Sequence, residues 1–397
     1  MGLSRSGLAQ LSRSELLDSL TSLVMAYPAV ALALLVGAFA SVVGVYALRR
    51  FKRPMGTRFL EAVAGLDEVA VLLHPNPDPD AMATGVAVAT LAEQAGTPAS
   101  IQYPGQIRHQ ENRAFHTVLD LDIEQIDHVS DVAAEHVILV DHNRPRGFAG
   151  SDSVLPLAVV DHHPGDGTGE AFTDVRTDYG AASSIVAEYF EDVNGKPVPP
   201  AKHASEVDAP YTVPSTVATG LLYGILTDTK RLTSGCSAAD FAAAGYLYAG
   251  VDEDQLDRVA NPEVSTEVLE LKARAIAGRD VRGPFAISDV GRVSNADAIP
   301  QAADELIQLE GVTAVVVLGE RNGTIHLSGR SRDDRVHMGR TLGSALDDFR
   351  DGSAGGHARM GGGQVSLSDG DIYTEFGGTI TRNDLRERLF ESLSGDV

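Results

Sequence analysis

Carboxylate and imidazole side chains gather where three predicted strands end, and another acid closes a predicted helix. The first strand leads into a histidine and two aspartates separated by prolines, and the next two lead into Asp-His and Asp-His-His. The residues concerned are His74, Asp78, Asp80, Asp141, Asp161, His162, His163 and Asp228. Ligands of open parallel sheets bind beyond the carboxyl ends of the strands, so we expect these side chains to converge on one crevice.

These side chains offer oxygen and imidazole nitrogen as metal ligands. The single cysteine, Cys236, excludes a cysteine-based zinc cluster. Such donors favour Mn²⁺ or Mg²⁺, and their number fits two ions about 3.5–4 Å apart that activate a water for attack on phosphorus. Asp141 is the natural bridge, because its carboxylate has two oxygens. The other ligands would divide into His74 with Asp78, and Asp80 with His162 and Asp228.

Each motif alone also has a simpler interpretation. A proline-rich acidic turn is usually a solvated loop, and a His-His pair is more often structural than metal-bound. Asp141 could be an ordinary turn former, and Asp228 an ordinary residue at a helix end. The occurrence of all these motifs at strand ends of one α/β unit favours the functional interpretation.

The elements that must position these residues alternate between short apolar strands and helices. Strands are predicted at 69–73, 99–102, 137–140 and 157–160, and helices at 81–95, 181–190 and 215–227. This alternation predicts an α/β fold with a doubly wound, mostly parallel sheet, which we place at residues 59–262.

A second, smaller α/β domain is predicted at residues 284–392, after a connector at 263–283 that contains a helix. Its predicted elements are strands near 284–290, 313–319 and 324–330, a helix near 336–349, and a glycine-rich loop at 355–363. Arg330 follows a strand and is a candidate for a bidentate phosphate clamp, because a guanidinium donates two parallel hydrogen bonds. Ser184 could donate to phosphate or cap a helix.

The motif Asp161-His162-His163, with the upstream His74, Asp78 and Asp80, resembles the DHH phosphoesterase family. Gly355-Gly356-His357 is similar to the glycine-rich substrate loop of the DHH-associated C-terminal domain. The family includes RecJ-like nucleases, nanoRNases and cyclic-di-AMP phosphodiesterases, and the resemblance implies a two-domain hydrolase with two Mn²⁺ ions, with Mg²⁺ or Co²⁺ as alternatives.

The resemblance also implies a role for each matching residue. The metal ligands would be His74, Asp78, Asp80, Asp141, His162 and Asp228. The catalytic motif would be Asp161, His162 and His163, with His163 facing the phosphate or supporting the water. The substrate would be held by Arg330, Gly355, Gly356, His357 and Ser184.

The N-terminal segment contains an apolar stretch long enough to cross a bilayer. Residues 1–22 form an N-terminal segment before this stretch. Residues 23–48 would measure about 39 Å as a helix, and a basic cluster at 49–53 follows them. The positive-inside rule then predicts a single-pass anchor with the catalytic domain in the cytoplasm. A cleaved signal peptide, with cleavage near Ala40, is the alternative.

The charge distribution excludes some partners. The chain has 55 acidic and 32 basic residues, only five of them lysine, and a net charge of −23. This acidic surface is typical of halophilic proteins, and we expect a haloarchaeal source; an ordinary acidic soluble domain is the alternative. No basic stripe for long duplex DNA is visible in the sequence.

Together these features predict a membrane-anchored, Mn²⁺-dependent phosphodiesterase. Its substrate would be a cyclic dinucleotide such as cyclic di-AMP, or a short oligoribonucleotide. The alternatives are a nucleotide-sensing regulatory module for a membrane partner and a RecJ-type single-strand exonuclease. A homodimer is also left open.

Overall fold

The computed structural model describes residues 53–333, 335–368, 371–374 and 378–395, with six further positions between 26 and 36. The described residues form two compact units, one of residues 53–106 and 119–256 and one of residues 107–118 and 257–395. The predicted membrane span, residues 23–48, lies outside the described residues except for those six positions. Within the described part, no helix is both long and apolar enough to cross a membrane.

The chain up to residue 260 alternates helices and strands. In order, the helices and strands are α1 (Met55–Val63), β1 (Val69–Leu72), α2 (Pro79–Gln94), β2 (Ala99–Pro104), α3 (Gln110–Val118), β3 (Glu124–Ile126), β4 (His136–Val140), β5 (Pro156–Asp161), β6 (Phe172–Val175), α4 (Ala182–Asp192), β7 (Lys196–Pro197), β8 (Thr212–Val213), α5 (Ser215–Asp228), α6 (Ala238–Leu247) and α7 (Glu253–Ala260). Of these, α3 belongs to the second unit, and α7 is divided between the two units after Leu256.

The first unit contains a parallel sheet of six described strands in the order β3-β2-β1-β4-β5-β6. The central strands β1, β4 and β5 consist largely of buried Val, Ile, Leu and Ala. Continuous apolar runs of this kind are typical of parallel strands that are covered on both faces. The predicted α/β fold with a mostly parallel sheet is therefore confirmed for this unit.

The strand order reverses between β1 and β4, which pair directly, with Val71 opposite Ile138 and Leu72 opposite Leu139. Strand β5 pairs with the other side of β4. In open α/β sheets, a crevice forms outside the carboxyl ends of the strands at such a reversal. The ends of β1, β4 and β5 therefore lie side by side at this reversal, where a ligand is expected.

The second unit consists mainly of residues after 260. Its further elements are α8 (Thr266–Ala277), β9 (Arg279–Arg282), β10 (Phe285–Arg292), α9 (Ala298–Leu306), β11 (Ala314–Arg321), β12 (Thr324–Ser331), α10 (Met338–Leu346), β13 (Ser353–Gly356), β14 (Met360–Ser368), β15 (Asp371–Tyr373), β16 (Thr379–Ile380) and α11 (Arg382–Ser394).

The second unit has a curled sheet with an apolar core on each face. Its described strands follow the order β16-β15-β14-β12-β11-β10-β9, and β13 pairs with β14. Only β10 and β11 among these pair in parallel. Strand β11 serves both cores because alternate side chains point to opposite faces. Val316 packs in the core with Met338, and Val315 packs in the core with Ile299.

The glycine-rich segment at 355–363 was predicted to be a loop, and this prediction was wrong. Most of it forms a hairpin in which β13 pairs with β14, with Gly355 opposite Gly362 and Gly356 opposite Gly361. Glycines are favoured because α10 packs closely here: a Cβ on Gly361 would lie 3.1 Å from Cγ of Met338, and one on Gly363 would lie 2.9 Å from Cδ1 of Leu346. Consecutive glycines carry no side-chain alternation, so the sequence gives no period-2 signal for these strands.

Candidate metal centre

The turn after β1 supplies the first candidate ligands. Asp78 is the N-cap of α2, and its Oδ1 accepts a hydrogen bond from the backbone N–H of Ala81 at 3.0 Å. Pro79 occupies the first helical position, where its missing N–H costs nothing. Capping uses one oxygen of Asp78, and Oδ2 lies 3.7 Å from Nε2 of His74. The same turn therefore starts the helix and directs a carboxylate oxygen towards the cluster.

Asp80 lies in the first turn of α2 and is completely buried. Its two oxygens accept hydrogen bonds from the backbone N–H groups of Ala182 and Ser183, at 2.7 and 2.9 Å. These groups begin helix α4, whose N-cap residue, Ala181, has no side-chain oxygen. Asp80 thus satisfies free N–H groups at a helix N-terminus, where a negative charge is also favoured.

Asp141 follows β4 with a φ of 59°, a left-handed conformation that is uncommon for a non-glycine residue. It is 1% exposed. Its Oδ2 lies 3.4 Å from Nε2 of His74, and its Oδ1 lies 3.3 Å from Nε2 of His162. The carboxylate therefore has one oxygen towards each histidine.

Asp161 organises the two histidines that follow it. Its Oδ1 accepts hydrogen bonds from the backbone N–H groups of His162 and His163, at 2.8 and 3.1 Å, and from Nδ1 of His163 at 3.0 Å. Its Oδ2 accepts one from the side-chain amide of Asn143 at 2.6 Å. Asp161 is completely buried, and these contacts give it a positioning role in the motif.

Asp228, the last residue of α5, completes the cluster with its Oδ2 at 3.5 Å from Nε2 of His162. The candidate ligand atoms form three groups, within each of which all atoms lie within 4.8 Å of one another. These groups are Asp141 with His162 and His163; His74 with Asp78 and Asp141; and Asp80 with His162 and Asp228. The structure therefore brings together all six side chains for which the sequence predicts metal ligation.

The hydrogen bonds of the histidine rings leave one nitrogen of each free for an ion. The Nδ1 atoms of His74 and His162 lie 3.0 and 3.2 Å from the carbonyl oxygens of Pro75 and Tyr179. A neutral ring that donates from Nδ1 presents an unprotonated Nε2, which is the arrangement typical of metal-binding histidines. Both Nε2 atoms point into the cluster.

Two atoms at the centre of this cluster lack partners. Oδ1 of Asp141 and Nε2 of His162 are buried, and among the described residues neither has a hydrogen-bond partner of good geometry. Buried polar atoms are nearly always satisfied, so these two require an explanation. A divalent ion bound by oxygen and imidazole nitrogen would satisfy both, and the donor set fits such an ion.

The electrostatics of the cluster reflect the crowding of these charges. Burial opposes protonation of His74 and His162, but the neighbouring carboxylates outweigh it, led in both cases by Asp141, and raise the pKa of each to about 11. Burial also opposes ionisation of Asp141, yet both histidines hold its pKa well below the usual range. Burial and repulsion between carboxylates raise the pKa of Asp80 and Asp228. Without metal, protons on the histidines therefore compensate these negative charges.

Ser184 is 1% exposed, and its Oγ donates a 2.6 Å hydrogen bond to Oδ1 of Asp240. The structure therefore places it in the packing of α4, and not on a surface that a substrate could reach.

The guanidinium of Arg330 already pairs with Asp304, with Nε–Oδ1 at 2.5 Å and Nη2–Oδ2 at 3.2 Å. A phosphate at Arg330 would have to displace that carboxylate. His357 is exposed at the turn of the β13–β14 hairpin, beside the exposed Gly355 and Gly356.

Two models of known domains match this chain. The model described as the DHH family, N-terminal domain, matches residues 68–225, and the DHHA1 domain model matches residues 282–372. The chain belongs to the DHH family. The first match contains every ligand candidate except Asp228, and the second contains Arg330 and the glycine-rich hairpin, so the resemblance drawn from the sequence is confirmed.

Named relatives of this DHH protein match parts of it. An uncharacterized protein of Methanocaldococcus jannaschii is 33% identical over 298 residues, which are 75% of this chain and 58% of that protein. The cyclic-di-AMP phosphodiesterase GdpP of Geobacillus thermodenitrificans is 37% identical over 120 residues, which are 30% of this chain and 18% of that protein. A "Probable manganese-dependent inorganic pyrophosphatase" of Bacillus mycoides is 30% identical over 197 residues, which are 48% of this chain and 58% of that protein.

The chain thus spans little more than half the length of two of these relatives, and much less of the third. Among solved structures, an exopolyphosphatase-related protein from Bacteroides fragilis shares the fold, with a TM-score of 0.62 at 16% sequence identity. That match covers 85% of this chain and 94% of the other.

Proposed function

We propose that this DHH protein is a Mn²⁺-dependent phosphodiesterase that hydrolyses short nucleotides. The favoured substrate is a cyclic dinucleotide such as cyclic di-AMP, with short oligoribonucleotides as the second choice. The DHH family match and the resemblance of a 120-residue segment to a cyclic-di-AMP phosphodiesterase support the reaction class. The carboxylate and imidazole donors, together with the manganese-dependent relative, support the choice of ion.

The observation that carries this proposal is the position of Asp141 between two groups of ligands. Oδ2 faces His74, which forms one group with Asp78, whereas Oδ1 faces His162, which also belongs to the group of Asp80 and Asp228. A carboxylate that serves two groups through separate oxygens is suited to bridging two ions. When bound, such a pair supplies an activated water and stabilises the charge on the phosphoryl oxygens.

The chain's own residues supply the remaining parts of the reaction. His74 and His162 keep their Nε2 atoms available because their Nδ1 atoms bond to carbonyl oxygens. The side chain of His163 is half-exposed, and the Nδ1 hydrogen bond to Asp161 raises its pKa. His163 can therefore hold a proton and donate it from Nε2 to a phosphoryl or leaving-group oxygen.

The second unit is proposed to bind the substrate. His357 and the adjacent glycines of the hairpin are exposed, so an imidazole lies beside backbone that a phosphate can approach closely. Arg330 would contribute by exchanging its partner Asp304 for a substrate phosphate. This role for the second unit remains a proposal that rests on the match to the DHHA1 domain.

The direct test is a substrate panel with the purified full-length chain at high salt in the presence of Mn²⁺. The panel contains cyclic di-AMP, a dinucleotide, short RNA, 3′-phosphoadenosine 5′-phosphate and single-stranded DNA. We expect hydrolysis of cyclic di-AMP or the short nucleotides that is abolished by a chelator and by Asp141→Asn. Tight binding of cyclic di-AMP without turnover would contradict the proposal and support a nucleotide sensor. Preferred degradation of long single-stranded DNA would support an exonuclease.

We also propose that residues 23–48 anchor the protein in the cell membrane with the catalytic domain in the cytoplasm. The length of the apolar stretch and the basic residues at 49–53 support this arrangement. The protein should remain in the membrane pellet after alkaline carbonate extraction. Its release into the supernatant would contradict the anchor.

A further inference from the structure

Two candidate ligands are oriented by one short piece of chain, residues 179–184, which we call the ligand-support segment. The carbonyl oxygen of Tyr179 lies 3.2 Å from Nδ1 of His162. The backbone N–H groups of Ala182 and Ser183 donate to the carboxylate of Asp80. His162 and Asp80 belong to the same group of candidate ligands, so this segment determines the geometry of one of the two proposed sites.

The ligand-support segment is itself held by a buried carboxylate on helix α6. Asp240 is completely buried, and its Oδ1 and Oδ2 lie 3.1 and 3.0 Å from the backbone nitrogen of Gly180. Oδ1 also accepts the hydroxyl of Ser184 at 2.6 Å. The contact is too close for a side chain, because a Cβ on Gly180 would lie 3.0 Å from Oδ2 of Asp240 and 2.6 Å from Cγ2 of Thr229.

The same carboxylate also holds the start of its own helix. Oδ2 of Asp240 accepts the backbone N–H of Ser237 at 2.6 Å and the hydroxyl of Ser237 at 2.9 Å, which forms a capping box. The donors of Asp240 therefore fall into two sets. Gly180 and Ser184 are on the side of the ligand-support segment, and Ser237 is on the side of helix α6.

Asp240 is not itself a candidate metal ligand. It belongs to none of the groups of candidate ligands found among the described residues, and it lies outside the DHH match at 68–225. Partners that orient metal ligands from outside commonly change metal affinity by about 10- to 100-fold when they are removed. The contacts of Asp240 reach two ligands through one short segment.

We propose that Asp240 is a positioning residue for the metal site formed by Asp80, His162 and Asp228. By fixing Gly180 and Ser184 it places the carbonyl oxygen that orients His162 and the N–H groups that orient Asp80. This inference rests on the metal centre of the proposed function. It adds that the two sites depend on different supports, because His74 and Asp78 make no contact with the ligand-support segment among the described interactions.

The test compares Mn²⁺ binding by the full-length chain and its variants. Binding is measured by calorimetry and by the EPR signal of the exchange-coupled manganese pair. In Asp240→Asn we expect one site to bind about 10- to 100-fold more weakly while the other keeps its affinity. The coupled signal should then be lost at Mn²⁺ concentrations that produce it in the wild type. Unchanged binding at both sites, or equal weakening of both, would overturn the proposal.

Two serine variants separate positioning from simple stabilisation, and they remain informative if Asp240→Asn does not fold. Ser184→Ala and Ser237→Ala each remove one hydroxyl hydrogen bond to Asp240, from opposite sides. Positioning predicts that Ser184→Ala weakens one Mn²⁺ site and that Ser237→Ala lowers only the melting temperature. If Ser237→Ala weakens Mn²⁺ binding as much as Ser184→Ala, the role of Asp240 is structural and the proposal fails.

These measurements do not depend on the substrate. A wild type that binds two Mn²⁺ ions but hydrolyses no nucleotide would refute the proposed function, and the comparison of variants would still decide the role of Asp240. A wild type that binds no Mn²⁺ would overturn both proposals.

Discussion

Nε2 of His162 and Oδ1 of Asp141 lie 3.3 Å apart at the centre of the candidate site, and both atoms are buried. Asp141 follows β4 and His162 follows β5, and these strands are neighbours in the parallel sheet. The relationship is therefore a consequence of the strand order, which brings two sequence-distant strand ends together. It places a bridging carboxylate and an imidazole where one ion could bind both.

Removal of the bridging carboxylate should strongly weaken metal binding at both sites. In Asp141→Asn, an amide NH2 group replaces one carboxylate oxygen. The amide nitrogen is a poor metal ligand, and the side chain loses its negative charge, so neither group of ligands keeps a charged bridge. Since loss of even an outer-shell partner costs about 10- to 100-fold in affinity, we expect at least about a 100-fold loss of Mn²⁺ affinity at each site. Calorimetric titration of the metal-free protein measures this.

The matched control is Asp166→Asn, which changes an exposed aspartate in the same unit that pairs with Arg144 outside the cluster. Its Mn²⁺ binding should equal that of the wild type. Retention of two high-affinity Mn²⁺ sites in Asp141→Asn would refute the bridging role of Asp141.

Metal binding should release protons. The carboxylates around His74 and His162 outweigh burial and raise the pKa of each to about 11, so both imidazoles are protonated at pH 7 without metal. An ion binds only the unprotonated nitrogen, so Mn²⁺ binding near pH 7 should release about two protons, and the affinity should rise with pH. Calorimetry in buffers that differ in ionisation enthalpy gives the number of protons.

The same shifts determine how the stability of the metal-free protein depends on pH. A histidine whose pKa is raised in the folded state stabilises the fold fully below its ordinary value of 6.5, and this contribution is lost as the pH rises towards 11. The free energy of unfolding of the metal-free protein should therefore fall between pH 7 and pH 10.

The outcome that would contradict the predicted proton release concerns Mn²⁺ binding. A Mn²⁺ affinity that does not vary between pH 6 and pH 9 would contradict the assignment of these histidines as ligands.

Much of the site was predictable because its residues follow short, strongly apolar strands. Parallel strands place their carboxyl ends at one edge, so His74, Asp141 and His162 could be brought together without knowing the strand order. The partners that orient them were not predictable. Tyr179 contributes only a backbone carbonyl, which leaves no trace in the residue type, and Asp240 meets Gly180 across 60 residues. The left-handed conformation of Asp141 is likewise set by its surroundings.

The second unit shows the same limit in a different way. The strands β10, β11 and β12 were predictable from their apolar runs, whereas the glycine-rich hairpin carries no alternating pattern. The pairing of Arg330 with Asp304 joins a strand to a helix 26 residues away, so the sequence suggested a free phosphate ligand where the structure has an ion pair.

The half-buried charge network around Arg176 should contribute strongly to stability. Its guanidinium pairs with Asp174 and Glu188, each with a contact at 2.8 Å, and Asp174 is 6% exposed. Arg176→Met would leave the carboxylate of Asp174 without its cation, and removal of one partner of a buried pair costs about 3 kcal/mol or more. Urea unfolding of the metal-free protein measures the loss.

Arg335→Met is the matched control, because Arg335 pairs with Asp333 at the surface of the second unit. Exposed pairs contribute little, so this variant should unfold like the wild type. Equal stability of Arg176→Met and the wild type would show that the network around Asp174 is not needed for the fold.

Two glycines in helices of the first unit should respond in opposite directions to alanine. A Cβ on Gly224 would lie 2.5 Å from Oγ of Ser183 and 3.0 Å from Cα of Asp80. Gly224→Ala should therefore destabilise the fold by about 1–3 kcal/mol through overpacking, and should weaken Mn²⁺ binding by displacing Asp80. Gly245 on α6 has no described atom within 4 Å of its Cβ position, so Gly245→Ala should stabilise the helix by about 0.5–1 kcal/mol. Denaturant midpoints that shift in the same direction for both variants would contradict this packing.

Salt should strengthen the fold because the protein carries a net charge of −23. Repulsion between surface carboxylates opposes compaction, and its range shrinks from about 10 Å at 0.1 M salt to about 3 Å at 1 M. We expect the melting temperature of the full-length protein to rise steadily between 50 mM and 2 M KCl, and activity to rise with it. The melting temperature should also rise in NaCl, because screening depends on ionic strength rather than on the particular cation. A melting temperature and an activity at 50 mM that equal those at 2 M would show that surface repulsion does not limit this fold, and would remove the argument for adaptation to high salt.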